Sequence, residues 1–171
     1  MKKVICIVLA LSLFMFAAAC KEKKEEVKHD VDVSYFADMG TMKGSDLKIG
    51  DSVPEEKDDD DTYFFTKAGA KSYFSNGDFC YYYDEDKKDP KIYAIAAFSD
   101  CMGFETGAIS IEVTDVLDSQ NVEYTSRTPK KDEVFFLPAA DNREIIECKG
   151  FKHNLIFVFE NNALCAAYLG D

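Results

Sequence analysis

The feature that most constrains the fold is the pair Asn76-Gly77, which lies between two runs rich in aromatic residues. These runs are residues 71–74 and residues 79–83, and the second reads Phe-Cys-Tyr-Tyr-Tyr. An Asn-Gly pair favours a tight β-hairpin, because the central residues of such a turn need a positive φ. A charged turn at residues 84–90 and an apolar run at residues 92–98 follow. We therefore predict three consecutive antiparallel strands.

The turn at residues 84–90 also predicts which side chains share a face. If Asp84 pairs with Lys91, the alternation of side chains along the strands separates two sets. The first set is Phe79, Tyr81, Tyr83, Ile92, Ala94 and Ala96, and the second is Cys80, Tyr82, Tyr93, Ile95 and Ala97. Both sets are rich in apolar groups, which indicates that both faces of the sheet are at least partly covered.

A second stretch of similar design closes the chain. It opens with a helical pattern at residues 109–117, and an Asn161-Asn162 pair marks a hairpin turn. Strands are predicted at residues 134–137, 143–148, 155–160 and 164–169. The first stretch opens at residues 47–55, where Ser52 and Glu55 have the spacing of a helix capping box. It also contains a predicted strand at residues 63–67.

These patterns predict an α+β fold with two tandem repeats, each a short helical segment followed by a four-stranded antiparallel β-meander. The repeats are residues 46–103 and residues 104–171, and together they make one compact domain. We expect their sheets to form one continuous or closely apposed surface, because a unit of about 60 residues buries little surface by itself.

The N-terminus has the pattern of an export signal. Two lysines precede an apolar run over residues 4–16, and Ala17-Ala18-Ala19 leads into Cys20. This pattern resembles a bacterial lipoprotein signal, in which the cysteine becomes the lipid-modified first residue. Ordinary secretion after Ala19 and an uncleaved membrane anchor are the alternatives. We predict a signal peptide over residues 1–20 with lipidated Cys20, and a location on the extracytoplasmic face of the cell membrane.

Residues 21–45 begin with a charged, low-complexity run that includes His29, and we predict that they form a disordered linker. The whole chain has a formal net charge of -12. A surface of this sign repels nucleic acid, so no nucleic-acid partner is expected. Acidic runs at residues 55–61 and 84–89 lack the spacing of a calcium loop, which favours solvated loops and no metal site.

The domain contains four cysteines, which are Cys80, Cys101, Cys148 and Cys165. Their spacing matches no zinc pattern, and both buried thiols and disulfides in any of three pairings remain open. A nucleophilic dyad of Cys148 and His153 is conceivable, but a surface histidine in a turn fits the five-residue spacing better. We therefore predict no catalytic residue, no cofactor and no enzymatic activity.

Residues 47–53, 78–99 and 106–117 resemble a group of uncharacterised bacterial lipoproteins that have two weak repeats, each a helical segment followed by a β-meander. Their fold is similar to that of β-lactamase inhibitory proteins and of small outer-membrane assembly lipoproteins. The resemblance implies this fold for residues 47–171, and it assigns no functional residue.

Tyrosines are concentrated in the first meander, and tyrosine is favoured at protein interfaces. We predict a partner surface that contains Tyr82 and Tyr93, with the acidic loops at residues 56–61 and 84–89 as its rim. The expected function is that of a membrane-anchored, non-enzymatic protein-binding module of the cell envelope. The alternative is a lipoprotein that binds a small molecule or a peptide for a membrane complex.

Overall fold

The computed structural model describes residues 29–55, 72–76 and 78–170. These residues form two helices, a seven-stranded antiparallel sheet and a two-stranded hairpin, so the α+β class is confirmed. The helices are α1, Val33–Met39, and α2, Ser110–Ser119. The strands are β1 (Ser72–Asn76), β2 (Phe79–Tyr83), β3 (Ile92–Ala97), β4 (Asp100–Cys101), β5 (Phe104–Glu105), β6 (Tyr124–Arg127), β7 (Arg143–Cys148), β8 (Asn154–Glu160) and β9 (Ala163–Gly170).

Strands β4 and β5 form the separate hairpin, and the large sheet has the order β1-β2-β3-β9-β8-β7-β6. The predicted first hairpin is confirmed by the pairing of β1 with β2, but Asn76 pairs with Phe79 and therefore belongs to β1, not to the centre of the turn as predicted. The second is confirmed by positive φ angles of 52° and 65° at Asn161 and Asn162, as a two-residue hairpin turn requires.

None of the helices in the described ranges has the length and apolar character needed to cross a membrane.

Pairing of β3 with β9 joins the two meanders into one sheet. Small residues face each other across this seam, for example Ala97 opposite Ala167 and Ala94 opposite Gly170. The seam is tight, because a Cβ atom at position 170 would lie 2.6 Å from the Cβ of Ala94 and 2.6 Å from the hydroxyl oxygen of Tyr168. Gly170 therefore lets the Tyr168 ring lie close to the strand backbone.

Helix α1 lies inside the predicted linker over residues 21–45. The Asp32 carboxylate accepts a hydrogen bond from the Tyr35 N–H at 3.0 Å, and Gly40 ends the helix with a φ of 72°. Val31, Val33, Ala37 and Met42 are buried. The prediction of disorder is therefore wrong for residues 31–42, because this segment carries an apolar face that packs on the core. Residues 21–28 lie outside the described residues.

Two other predicted elements differ from the structure. Ser52 does not begin a helix but forms an isolated β-bridge with Lys91, so the backbone at this point is extended. Residues 134–137 form turns where a strand was predicted, and the strand that pairs with β7 is the more polar segment Tyr124–Arg127. The predicted strand at residues 63–67 lies outside the described residues.

The register between β2 and β3 contains a bulge that the sequence did not predict. Tyr83 pairs with Ile92, as expected, but Tyr82 pairs with Ala94, so Tyr93 is the extra residue. The bulge turns over every side chain that follows it in β3. Ile95 and Ala97 therefore share a face with Tyr81, and Ala94 and Ala96 share a face with Cys80 and Tyr82.

Each face of the sheet carries its own apolar cluster. On one face, α1 and α2 pack on the larger cluster, to which α2 contributes Val113, Val116 and Leu117. We call this the helix face. On the other face, a second cluster is covered by residues from the connection between β6 and β7, residues 128–142, which we call the strap. The prediction that both faces are covered is confirmed.

Replacing Gly170 with Ala should lower the free energy of unfolding by about 1–3 kcal/mol, because the new methyl group would overlap the opposite strand. Combining Gly170→Ala with Ala94→Gly removes one of the two clashing groups. Chemical denaturation of the two single variants and the double variant measures this coupling. Simple additivity of the two single changes would contradict the packing described for the seam.

Candidate functional site

The predicted tyrosine surface is divided by the structure. Tyr82 is completely buried on the strap face of the sheet, where its ring meets Phe135 of the strap edge-on at 5.2 Å. Tyr93 lies at the bulge, is partly buried and packs at the border of the same cluster. The prediction that Tyr82 is exposed for a partner is therefore wrong, because the strap occupies the surface that was assigned to the partner.

The strap is held by its aromatic side chains. Phe136 is fully buried and stacks on Tyr168, with 4.9 Å between ring centroids and an angle of 9° between the rings. Phe135 contacts the edges of Tyr82 and Tyr168. The strap thus packs as part of a core, against small residues of the central strands such as Ala94, Ala96 and Ala166.

An ion-pair network fixes the start of the strap. The Arg127 guanidinium donates to the Glu133 carboxylate at 2.7 Å and to the Glu147 carboxylate at 3.0 Å. The Lys130 N–H donates to the same Glu133 carboxylate at 2.7 Å. Hydrogen bonds from Arg127 lower the pKa of Glu133 below its usual value, since they favour the charged form. The network thereby links the end of β6 to both the strap and β7.

Because the pKa of Glu133 is lowered in the folded state, its contribution to stability is present above the ordinary value of 4.5 and is lost as the pH falls below it. Glu133→Gln should lower the free energy of unfolding at pH 7 by about 1 kcal/mol, and the difference from the unmodified protein should shrink progressively as the pH falls below 4.5. Urea denaturation across this pH range measures it. Glu85→Gln, which changes an exposed carboxylate, is the matched control and should have little effect at any of these pH values.

Two neighbouring tyrosines on opposite faces have contrasting hydroxyl groups. The Tyr81 hydroxyl lies 2.8 Å from the Ser45 hydroxyl and shares a hydrogen bond with it. The Tyr82 hydroxyl is buried and has no nitrogen or oxygen partner among the described residues, so the Cys80 thiol, a weak hydrogen-bonding group, is its polar neighbour. Burial raises the pKa of Tyr82 far above its ordinary value, so this group is a neutral phenol.

This contrast predicts opposite effects of the same substitution. Tyr81→Phe should lower the free energy of unfolding by about 1 kcal/mol, because the hydrogen bond between the Tyr81 and Ser45 hydroxyl groups is lost while Ser45 keeps its bond to the Leu47 carbonyl. Tyr82→Phe should leave it unchanged or raise it by about 1 kcal/mol, since a buried hydroxyl without a nitrogen or oxygen partner is removed. Thermal unfolding of the two variants side by side measures this. Equal losses would contradict the burial of a Tyr82 hydroxyl without such a partner.

The four cysteines of the domain are free thiols in the structure. Burial raises the pKa of Cys80, Cys101 and Cys148 to about 12, and that of Cys165 to about 11. A nucleophilic cysteine needs a lowered pKa, so none of the four has the environment of an activated thiolate. The candidate dyad of Cys148 and His153 therefore lacks its reactive partner.

Both histidines are packed against the domain. His153 is buried, not exposed as predicted, and lies against Gly40 at the end of α1. The His29 ring stacks on Phe104 with 4.2 Å between centroids, and its Nε2 atom is 3.0 Å from the Met102 carbonyl oxygen. His29 thus docks the end of the linker on the β4–β5 hairpin.

The acidic loops contribute little to a site in the described part of the chain. Asp89 forms an exposed ion pair with Lys91 at 3.1 Å, and residues 56–61 lie outside the described ranges. Within those ranges, no group of three or more histidine, cysteine, aspartate or glutamate side chains could hold a metal ion.

An open sheet edge with an adjoining cleft is the candidate that sequence reasoning missed. Strand β6 is the last strand of the sheet and pairs only with β7 among the described residues. The Lys149 N–H donates to the Glu123 carbonyl at 2.7 Å, just before β6 begins. In an antiparallel pair, every second residue bonds to the neighbouring strand, so Thr125 and Arg127 are the residues of β6 that bond to β7. The N–H and C=O groups of Tyr124 and Ser126 therefore point outward, away from β7.

The cleft lies where β6 begins, beside the end of α2, and has a volume of about 620 Å³. Asp118, Glu123, Tyr124, Thr125 and Lys149 are among its lining residues. Partial burial, together with the charges of Asp118 and Asp115, raises the pKa of the Tyr124 hydroxyl. The cleft thus combines an aromatic side chain, outward backbone groups and a surplus of negative charge.

The sequence signal for this edge is weak. Tyr124-Thr125-Ser126-Arg127 has β-branched and aromatic residues but no apolar alternation, so it does not resemble a core strand. The one local signal is Asn121, whose positive φ of 56° marks the turn between α2 and β6.

No family model, curated protein or solved structure matches the chain.

Proposed function

We propose that this protein is a membrane-anchored, extracytoplasmic lipoprotein that acts as a non-enzymatic protein-binding module. The observation that supports binding is the open edge of β6, with the outward backbone groups of Tyr124 and Ser126 beside a cleft. An exposed strand can accept an extended segment of a partner through backbone hydrogen bonds, and neighbouring pockets then select its side chains. The partner site is thus moved from the tyrosine face to the sheet edge.

A non-enzymatic role is supported by the chemistry of the described side chains. The thiols have raised pKa values, and the ionic cluster around Arg127 is occupied in holding the strap. Such groups stabilise the fold and offer no activated nucleophile.

The tandem-repeat organisation is also a proposal. The sheet order places one three-stranded meander, β1-β2-β3, beside a second, β7-β8-β9, with their last strands adjacent and antiparallel. This arrangement is the one expected of two similar units that pair through the same strand. A peptide or small-molecule ligand is the alternative function, and the cleft beside β6, which is shallow and open to solvent, is the surface that would receive it.

The anchor is tested by the intact mass of the protein extracted from membranes. We expect a chain that begins at Cys20 and carries a diacylglycerol group, and Cys20→Ala should release the protein or leave its precursor uncleaved. A chain that begins at Cys20 without lipid would contradict the anchor.

The binding site is tested by a photo-crosslinking amino acid placed at position 124 in living cells. The matched control is the same residue at position 35, since Tyr35 is an exposed tyrosine on α1. We expect a discrete crosslinked protein from position 124 that disappears when Ser126→Pro removes an outward N–H. Crosslinks that persist in Ser126→Pro, or that arise only from position 35, would contradict binding at β6. A crosslink to a small ligand and not to a protein would favour the alternative.

A further inference from the structure

We propose that the cleft beside β6 binds a positively charged, extended segment of a partner, which adds as an eighth strand and places a Lys or Arg side chain beside Asp118. This inference rests on the proposed function, because it names the kind of partner that the open edge accepts. It has two parts, one from the backbone of β6 and one from the charge of the cleft.

The backbone part concerns Tyr124 and Ser126. Their outward N–H and C=O groups are two residues apart, so they match alternate residues of an incoming strand. Ser126 is exposed, and β6 has no second neighbouring strand among the described residues. A short extended segment can therefore form several backbone hydrogen bonds without a change in the sheet.

The charge part concerns the end of the cleft that adjoins α2. Asp118 lies in the last turn of this ten-residue helix, where the helix dipole adds partial negative charge to that of the side chain. Glu123 also lines the cleft, and Asp115 acts on Tyr124 from the same helix. Lys149 is the only cationic side chain that lines the cleft within the described ranges, so acidic groups outnumber it.

The aromatic ring of Tyr124 adds to the preference for a cation. It is partly exposed at the first residue of β6, and a Lys or Arg side chain can lie against such a ring. A second copy of this chain is a poor occupant by comparison. Each copy carries a formal charge of -12, so pairing of two β6 edges would bring like charges together.

The test uses the full-length protein in detergent and a short synthetic peptide of alternating Lys and Val. A peptide of alternating Glu and Val is its control. We expect the Lys peptide to slow amide hydrogen exchange at Tyr124 and Ser126, and the Glu peptide to have no effect. Affinity for the Lys peptide should fall several-fold between about 50 mM and about 300 mM salt, because the cleft is exposed to solvent.

Variants separate the backbone part from the charge part. Ser126→Pro should weaken binding at least tenfold. Its control, Ser126→Ala, also loses the hydroxyl bond to Glu144 and should bind like the unmodified protein. Asp118→Asn should weaken binding several-fold, and Lys149→Glu should tighten it by a similar factor. These two charge variants keep the inference testable if Ser126→Pro does not fold.

Four results would overturn the inference. Equal binding of the Lys peptide to Ser126→Pro and Ser126→Ala would mean that charge alone attracts the peptide. Unchanged affinity in Asp118→Asn and Lys149→Glu would mean that the cleft does not select a cation. A dimer that forms through β6 and that Ser126→Pro abolishes would make a second copy the occupant. A protein crosslink from position 124 without Lys-peptide binding would leave the proposed function in place and refute only the cationic partner.

Discussion

Pairing between β3 and β9 is the interaction on which the rest of the structure depends. It joins two meanders that are distant in sequence, and it brings Ala94 and Gly170 so close that no larger residue fits at position 170 without a shift. The seam gives a sheet wide enough to carry an apolar cluster on each face. Both clusters then need a cover, which α1 and α2 supply on one side and the strap supplies on the other.

Covering both faces moves the surface available for recognition to the edge of the sheet. The strap buries Tyr82 and Phe136 in a second core, so a partner on that face would have to displace packed aromatic rings. At the edge, by contrast, the backbone groups of Tyr124 and Ser126 point away from the sheet. Arg127 connects the two regions, because it ends β6 and is held by Glu133 of the strap and Glu147 of β7. The end of the edge strand is therefore tied to both the strap and β7.

Local signals in the sequence were sufficient for the α+β class, the two hairpins and the bounds of β2 and β7. They failed where tertiary packing decides. An apolar run at residues 134–137 was predicted as a strand, yet it covers a sheet face as irregular chain, while the polar segment β6 takes the place beside β7. The bulge at Tyr93 leaves no mark in the residue pattern, and it changes the face of every later side chain in β3. The candidate site was missed for the same reason, since the cleft depends on how α2 ends beside β6.

An exposed strand edge exposes a protein to aggregation, and proteins protect such edges with charge, proline or bulges. Strand β6 has neither proline nor a bulge, and its one cation, Arg127, is turned toward carboxylates of its own chain. The edge must then be protected against aggregation by the electrostatic field of the whole molecule, because a formal net charge of -12 repels further copies of the chain. The same field attracts a positively charged segment. If β6 binds the proposed cationic segment, the acidic composition and the open edge act together, since the charge that opposes self-pairing at β6 also favours that partner.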